Sequence, residues 1–122
     1  MSAGSGDRPY LLERVDDAAI VQLYADGFDE LAPREKTLVY HLSRAALAGR
    51  DIYYDQRHRH NLLMRGLLEA VLTHPEGIDP GALAEITRYT KLFWINTGPY
   101  NNLTARKFVL ELDREQIGRA HV

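Results

Sequence analysis

Residues 94–109 read WINTGPYNNLTARKFV. The stretch begins as the apolar end of a helix, breaks at Gly98-Pro99, continues as an asparagine-rich loop and turns apolar again at Phe108. Asparagine side chains offer hydrogen-bond donors and acceptors, and loops on a helical scaffold commonly carry binding surfaces. The stretch therefore predicts a helix end followed by a loop that forms the hydrogen-bonding edge of a cleft. An ordinary surface loop after the helix end is the alternative.

The composition fits one small domain or part of a larger one. The chain has 122 residues, of which 45% are hydrophobic and 26% charged, so it is able to bury a core. Its net charge of -2 gives no basic excess for binding nucleic acid. The lack of cysteine excludes disulfides and thiolate metal sites. No apolar run approaches the roughly 20 residues that span a bilayer, so we expect a soluble protein of the cytoplasm or periplasm with no membrane partner.

A first helix is predicted to begin at Pro33, because proline is tolerated at the first helical position. Glu35 falls in its first turn, where a carboxylate favours the positive end of the helix dipole. Gly49 ends it in the usual position after the last helical residue. The helical spacing of its apolar residues predicts a buried stripe: Leu38, Val39, Leu42, Ala45 and Ala46.

Two further helices are predicted between this one and the loop. One covers about residues 59–73 and is apolar around so much of its circumference that we expect it in the middle of a bundle. The next has the best start signal in the chain, with Asp79 as N-cap and Pro80 at the first helical position. It ends at Gly98-Pro99. Its apolar side is expected to comprise Leu83, Ile86, Thr87, Thr90, Phe93 and Trp94.

The remaining segments are less regular. Residues 20–25 are short, β-branched and aromatic, which favours a strand; a helix capped by Asp16 or Asp17 is the rival. Residues 50–56 are expected to be a connector, and residues 108–112 a short strand or extended piece. Asp113 is then expected to cap a last helix. Residues 1–9 are small and polar and are expected to form a flexible leader.

No self-contained catalytic or metal site is predicted in this chain. His58 and His60 are two residues apart, so on a helix their side chains point to different sides and cannot easily share a metal ion. Asp51 and Asp55 form a close carboxylate pair in the connector, where solvation or helix capping is the simpler role. Ser43 lies inside the first helix without a nucleophile-elbow sequence around it.

Several blocks of the chain form a recognisable ordered pattern. They are residues 31–36, 40–46 and 48–56, then Trp94, Asn96, Gly98 and Tyr100, and the run Lys107-Phe108-Val109. Together these blocks resemble the N-terminal part of the dipeptidyl peptidase III family of zinc metallopeptidases, over about residues 27–109. The block at 48–56, with Gly-Arg-Asp-Ile-Tyr-Tyr-Asp-Gln, is most similar to the bacterial branch.

The predicted helices and strands make a mainly α-helical unit of three to four helices with one or two short strands. The resemblance implies that this unit is part of a larger two-lobed enzyme. Residues 10–122 would belong to the non-catalytic lobe. The parent enzyme would release dipeptides from peptide N-termini, using zinc held by a His-Glu-x-x-Gly-His helix in the other lobe. None of those zinc ligands occurs in this chain, so the implied partners are the catalytic lobe and the peptide substrate.

By this resemblance the loop would line the substrate cleft. The implied substrate contacts are Asn96, Gly98, Tyr100, Asn101, Leu103, Lys107 and Phe108. Three positions depart from the family pattern: Leu103 stands where members tend to carry an aromatic residue, Ala105 replaces a polar or acidic one, and Ala32 replaces the usual hydroxyl cap of the first helix. A free-standing helical interaction domain without enzymatic activity is the rival. A fragment is expected to expose apolar helix faces and to self-associate.

Overall fold

The computed structural model describes residues 7–120, so the first six residues of the predicted leader, residues 1–9, lie outside the described part. The chain divides into two compact units, with the boundary between Ala48 and Gly49. The described residues are mainly helical and include one two-stranded antiparallel sheet, which confirms the predicted fold class.

The first unit contains a β-hairpin made of β1 (Leu11–Val15) and β2 (Ala18–Val21). Val15 lies opposite Ala18, so only Asp16 and Asp17 connect the strands. Asp16 has a φ of 53°, a left-handed conformation that aspartate tolerates in tight hairpin turns. The strand predicted at residues 20–25 is therefore confirmed in type, although it begins and ends earlier. The rival helix is wrong, because the two aspartates form the turn of a hairpin.

The open end of the hairpin is held by Arg8. Its Nη2 donates to Oδ2 of Asp26 at 3.0 Å, and its guanidinium carbon lies 4.4 Å from the centre of the Tyr24 ring. The Tyr24 hydroxyl donates to the Pro9 carbonyl at 2.8 Å. The bond from Arg8 lowers the pKa of the Asp26 carboxyl below its usual value.

Helix α1 (Pro33–Ala48) follows a 3-10 turn at Phe28–Glu30 and has the predicted ends. Oε2 of Glu35 accepts from the Ala32 N–H at 2.9 Å, which satisfies a free donor at the helix start. The predicted buried stripe is wrong: no residue of α1 is buried, and Leu38 and Leu42 are 58% and 59% exposed. Besides α1, the described part of the first unit holds only the hairpin and the 3-10 turn, too little to cover a helix face.

The second unit is a group of helices in which α3 packs against both α2 and α4. This confirms the central position predicted for α3. The helices are α2 (Asp51–Arg57), α3 (Asn61–Thr73), α4 (Pro80–Asn96) and α5 (Arg114–Ala120).

Helix α2 replaces the connector predicted at residues 50–56. Asp51 stands in its first turn, where a carboxylate is favoured. Tyr54 is buried and stacks on Phe93 of α4, with ring centroids 5.9 Å apart. Burying this ring favours the helix, because residues 51–57 gain a contact with the core that local sequence does not reveal. Tyr53 is exposed, and Asp51 accepts a hydrogen bond from Arg65 at 2.7 Å.

Helix α4 supplies most of the core. Its start is as predicted, with Oδ2 of Asp79 accepting from the Ala82 N–H at 3.1 Å. Its end is also as predicted: Thr97 is left-handed with a φ of 53°, and the Gly98 N–H donates to the Phe93 carbonyl at 3.0 Å. Trp94 departs from the predicted apolar side, because it is 41% exposed and its indole donates to Oε1 of Glu69 at 3.0 Å.

The segment after the loop is extended but is not a strand. Phe108, Leu110 and Leu112 pack against the core. Its backbone is bound by side chains of α4 and not by a neighbouring strand. Helix α5 then begins with reciprocal bonds between Asp113 and Gln116, at 3.1 and 2.7 Å, which confirms the predicted cap.

Candidate functional site

The asparagine-rich loop folds back on itself as a tight, ordered turn. The Asn101 N–H donates to the Arg106 carbonyl and the Phe108 N–H to the Pro99 carbonyl, both at 2.8 Å. Tyr100 and Lys107 form an isolated antiparallel bridge between these two bonds. The loop therefore has a defined shape and presents its side chains at fixed positions.

Asn96 is the polar anchor at the start of the loop. The residue is 7% exposed, and its Nδ2 donates to the Leu92 carbonyl at 3.0 Å. Its Oδ1 accepts from the Asn102 N–H, also at 3.0 Å. Because both ends of the amide bind the protein's own backbone, Asn96 shapes the site rather than facing a ligand.

The two ends of the Asn101 side-chain amide have different surroundings: the oxygen binds the loop backbone, and the nitrogen lies at the surface. Its Oδ1 accepts from the N–H groups of Leu103 and Thr104, at 2.8 and 3.1 Å. This pattern is the common one by which asparagine stabilises a turn. The Nδ2 of Asn101 has no hydrogen-bond partner among the described residues, so it remains a donor at the surface.

Sequence reasoning missed Asn61, the first residue of α3, which is fully buried behind the loop. Its Nδ2 donates to the carbonyls of Tyr54 and Thr97, at 3.0 and 3.5 Å, and so joins α2 to the end of α4. A Cβ built on Gly98 would lie 2.9 Å from that Nδ2. The only sequence signal was a polar residue directly before an apolar helix, which is more often a cap.

Arg57, the last residue of α2, was also missed. Its Nη1 donates to the Asn96 carbonyl at 3.1 Å and to Oδ1 of Asn102. A cation at the carboxyl end of α4 is favoured by the helix dipole. These bonds fix the plane of the guanidinium, and neither its Nε nor its Nη2 has a partner among residues 7–120.

These groups surround a polar pocket of about 270 Å³. We call it the asparagine pocket. In the part of the chain that the structure describes, no aspartate or glutamate lines it, and Arg57 contributes its only formal charge. Its polar lining residues are Arg57, Asn61, Asn96, Tyr100, Asn101 and Asn102.

The seven predicted contact residues separate into two groups. Asn96 and Gly98 are buried, and Phe108 packs against the core. Tyr100, Leu103 and Lys107 are exposed and Asn101 is partly exposed. Leu103 is 95% exposed and does not line the asparagine pocket. Of the predicted residues in the second group, Tyr100 and Asn101 line it.

A second, apolar groove of about 200 Å³ lies between α3, α4 and the C-terminal segment. It is lined by Leu68 and Val71 of α3, Tyr89 of α4 and Leu110 after the loop, among others. Burial raises the pKa of the Tyr89 hydroxyl, with a smaller contribution from Tyr100.

Two side chains of α4 bind the backbone of the extended segment that follows the loop, at Val109 and Glu111. Oε1 of Glu85 accepts from the Glu111 N–H at 2.9 Å, and Nη2 of Arg88 donates to the Val109 carbonyl at 3.0 Å. Glu85 and Arg88 also bind each other, with 2.6 Å between Oε1 and Nη2. The bond from Arg88 lowers the pKa of the Glu85 carboxyl, and the Glu111 N–H adds to this effect.

The residues present do not fit a metal centre. Among residues 7–120 there is no group of three or more His, Cys, Asp or Glu side chains placed to hold an ion. The rings of His58 and His60 are 5.4 Å apart, but Nε of Arg59 donates to Nε2 of His60 at 3.0 Å. Asp51 is bound to Arg65 rather than paired with Asp55. None of the described helices is both long and apolar enough to cross a membrane.

In comparisons with known proteins, no protein-family model matches the chain, and no curated protein matches it significantly.

Proposed function

We propose that this chain is part of the non-catalytic lobe of a zinc-dependent dipeptidyl peptidase resembling dipeptidyl peptidase III. In this proposal residues 96–108 form part of the wall of the peptide cleft. The chain contributes peptide contacts, and the catalytic lobe supplies the metal and the residues that act on the scissile bond.

The observation that carries the proposal is that some residues of the loop fix its shape while others lie at its surface. Asn96 and Gly98 face inward and hold the loop in one shape, while Tyr100, which is exposed, and Asn101, which is partly exposed, line the asparagine pocket. Pre-formed hydrogen-bonding groups around a concave surface suit a peptide backbone, which offers alternating donors and acceptors.

The exposed apolar surface supports a role within a larger protein. Leu38 and Leu42 of α1 are more than half exposed, and Leu63 of α3 is 73% exposed. Leu38 and Leu42 are one helical turn apart and so lie on one side of α1. Apolar surface of this kind is usually covered by a partner or by another part of the same protein.

The test is the activity of the complete reading frame that contains these residues. We expect its product to release dipeptides from a dipeptidyl reporter, to lose that activity with a chelator and to contain a His-Glu-x-x-Gly-His sequence. We expect the 122-residue chain alone to be inactive and to bind no stoichiometric zinc. A reading frame without that sequence, or chelator-sensitive hydrolysis by the short chain alone, would overturn the proposal.

In the active product, Tyr100→Phe should raise KM for a peptide substrate and leave kcat close to the wild-type value. The reason is that this chain binds the peptide but contributes no group to the chemical step, so the loss is one of uniform binding. Tyr53→Phe is the matched control, because Tyr53 is also exposed but lies outside the asparagine pocket.

A further inference from the structure

We propose that the asparagine pocket binds a carboxylate, namely the C-terminal carboxylate of a short peptide, through the free edge of the Arg57 guanidinium. The inference rests on the proposed function, since it names the part of the peptide that the cleft wall would hold. It concerns a residue that neither the sequence pattern nor the family resemblance assigned to a site.

The first argument is the orientation of Arg57. Both of its bonds within the described chain come from Nη1, which donates to the Asn96 carbonyl and to Oδ1 of Asn102. The guanidinium plane is therefore fixed, and the edge formed by Nε and Nη2 has no acceptor among the described residues. Two parallel N–H groups on one such edge match the two oxygens of a carboxylate.

The second argument is the charge of the pocket. Within residues 7–120, Arg57 is the only charged residue that lines it, and no carboxylate of this range lies in the lining to compete for the guanidinium. Arg65, in contrast, binds Asp51 at 2.7 Å. Arg57 is thus a fixed cation that faces a concave surface and lacks an anionic partner among the described residues.

The third argument is a neutral donor beside Arg57. Asn101 lines the same pocket, and its Nδ2 has no partner among residues 7–120. A carboxylate accepts several hydrogen bonds at once, so this donor is able to add to the bond from Arg57. The volume of about 270 Å³ suits the end of a peptide rather than a bulky folded partner.

The test is a titration of the ¹⁵N-labelled 122-residue chain, followed by NMR, with trialanine and with trialanine amide. The two peptides differ only in the carboxylate. We expect trialanine to shift the side-chain amide signals of Asn101 and Asn102 and the Nε–H signal of Arg57. Trialanine amide should bind at least tenfold more weakly.

Two variants identify the residue responsible. Arg57→Gln should remove the preference for the free acid. Arg57→Lys keeps the charge but lacks the planar fork, and should lose most of the preference. Arg106→Gln is the control, because Arg106 carries the same charge on the same loop but does not line the pocket. Hydrogen exchange of the Asn102 N–H, which binds Asn96, reports whether the loop keeps its shape in each variant.

The outcomes separate this inference from the proposed function. Equal binding of the acid and the amide would overturn the carboxylate site and would leave peptide contact by the loop in place. Loss of the preference in Arg106→Gln, or its persistence in Arg57→Gln, would overturn the role of Arg57. Tighter binding of inorganic phosphate than of trialanine would assign the pocket to a different anion. No shift with any of these probes would overturn the inference, whereas the activity of the complete reading frame decides the proposed function separately.

Discussion

Gly98 and Asn61 are packed so closely that a Cβ at position 98 would lie 2.9 Å from Nδ2 of Asn61. Gly98 also has a φ of 154°, a conformation that side-chain-bearing residues rarely adopt. The amide of Asn61 is in turn fixed by the carbonyls of Tyr54 and Thr97. The shape of the candidate site therefore depends on a contact between the start of α3 and the end of α4.

Gly98→Ala should destabilise the second unit by about 2–4 kcal/mol, because it combines an unfavourable φ with a clash that a buried asparagine cannot easily relieve. Urea unfolding followed by the fluorescence of Trp94, the single tryptophan and a member of the second unit, measures the loss. Gly66→Ala is the control. Position 66 lies inside α3 with nothing within 4 Å of an added Cβ, so the change should stabilise by about 0.5–1 kcal/mol. Equal effects at both glycines would contradict the close packing.

Asn61→Ala should cost about 1–3 kcal/mol, because the hydrogen bonds from its Nδ2 to the carbonyls of Tyr54 and Thr97 are lost. Asn61→Asp should cost more at pH 7, since it places a carboxylate beside two carbonyl oxygens. Burial and this repulsion raise the pKa of such a carboxyl in the folded state. The aspartate variant should therefore regain stability as the pH falls below that folded pKa toward the ordinary aspartate value of about 3.9. Trp94 fluorescence in urea at pH 7 and pH 4 tests this, and a pH-independent difference between the variants would count against the buried position of Asn61.

The parts of the fold that were predictable from sequence are those specified by local chemistry. The Asp79-Pro80 start and the Gly98-Pro99 end fixed α4, because caps and breakers act within a few residues. Helix α2 was missed because it depends on the burial of Tyr54 against Phe93, a contact 39 residues away along the chain. The exposed face of α1 was missed for a related reason. Periodicity shows which face is apolar, but it cannot show whether anything covers that face.

The candidate site was also only partly predictable from the sequence. The loop was found from its composition, yet Asn61 and Arg57, which shape it from behind, lie 35 and 39 residues before Asn96. Each makes two hydrogen bonds to residues outside its own helix, and nothing in the local sequence separates such a residue from other asparagines and arginines.

The bond between Glu85 and the extended segment should make stability depend on pH. The pKa of Glu85 is lowered from the ordinary value of 4.5 in the folded state, chiefly by the Arg88 bond. The carboxylate therefore adds stability that is fully present above pH 4.5 and is lost as the pH falls through the lower, folded value. Glu85→Gln should be less stable than wild type at pH 7, and this difference should shrink below pH 4.5. Trp94 fluorescence in urea at several pH values measures this, with Glu76→Gln as an exposed control on the loop before α4. A constant difference between wild type and Glu85→Gln from pH 7 to pH 3 would contradict the role of the carboxylate.

The exposed apolar stripe of α1 should make the 122-residue chain self-associate. Leu38 and Leu42 are 58% and 59% exposed on one side of the helix, and association buries apolar area worth about 25 cal/mol per Å². Sedimentation velocity at tens of micromolar should show species larger than a monomer, and Leu38→Gln with Leu42→Gln should shift the population toward the monomer. Leu47→Gln is the matched control, because Leu47 is 63% exposed but falls on the opposite side of α1 by helical spacing. Under the proposed function, the catalytic lobe covers this stripe in the complete protein. The two substitutions should therefore leave the association state of the complete protein unchanged. If the wild-type 122-residue chain stays monomeric at these concentrations, the expectation that the stripe seeks a partner surface is wrong.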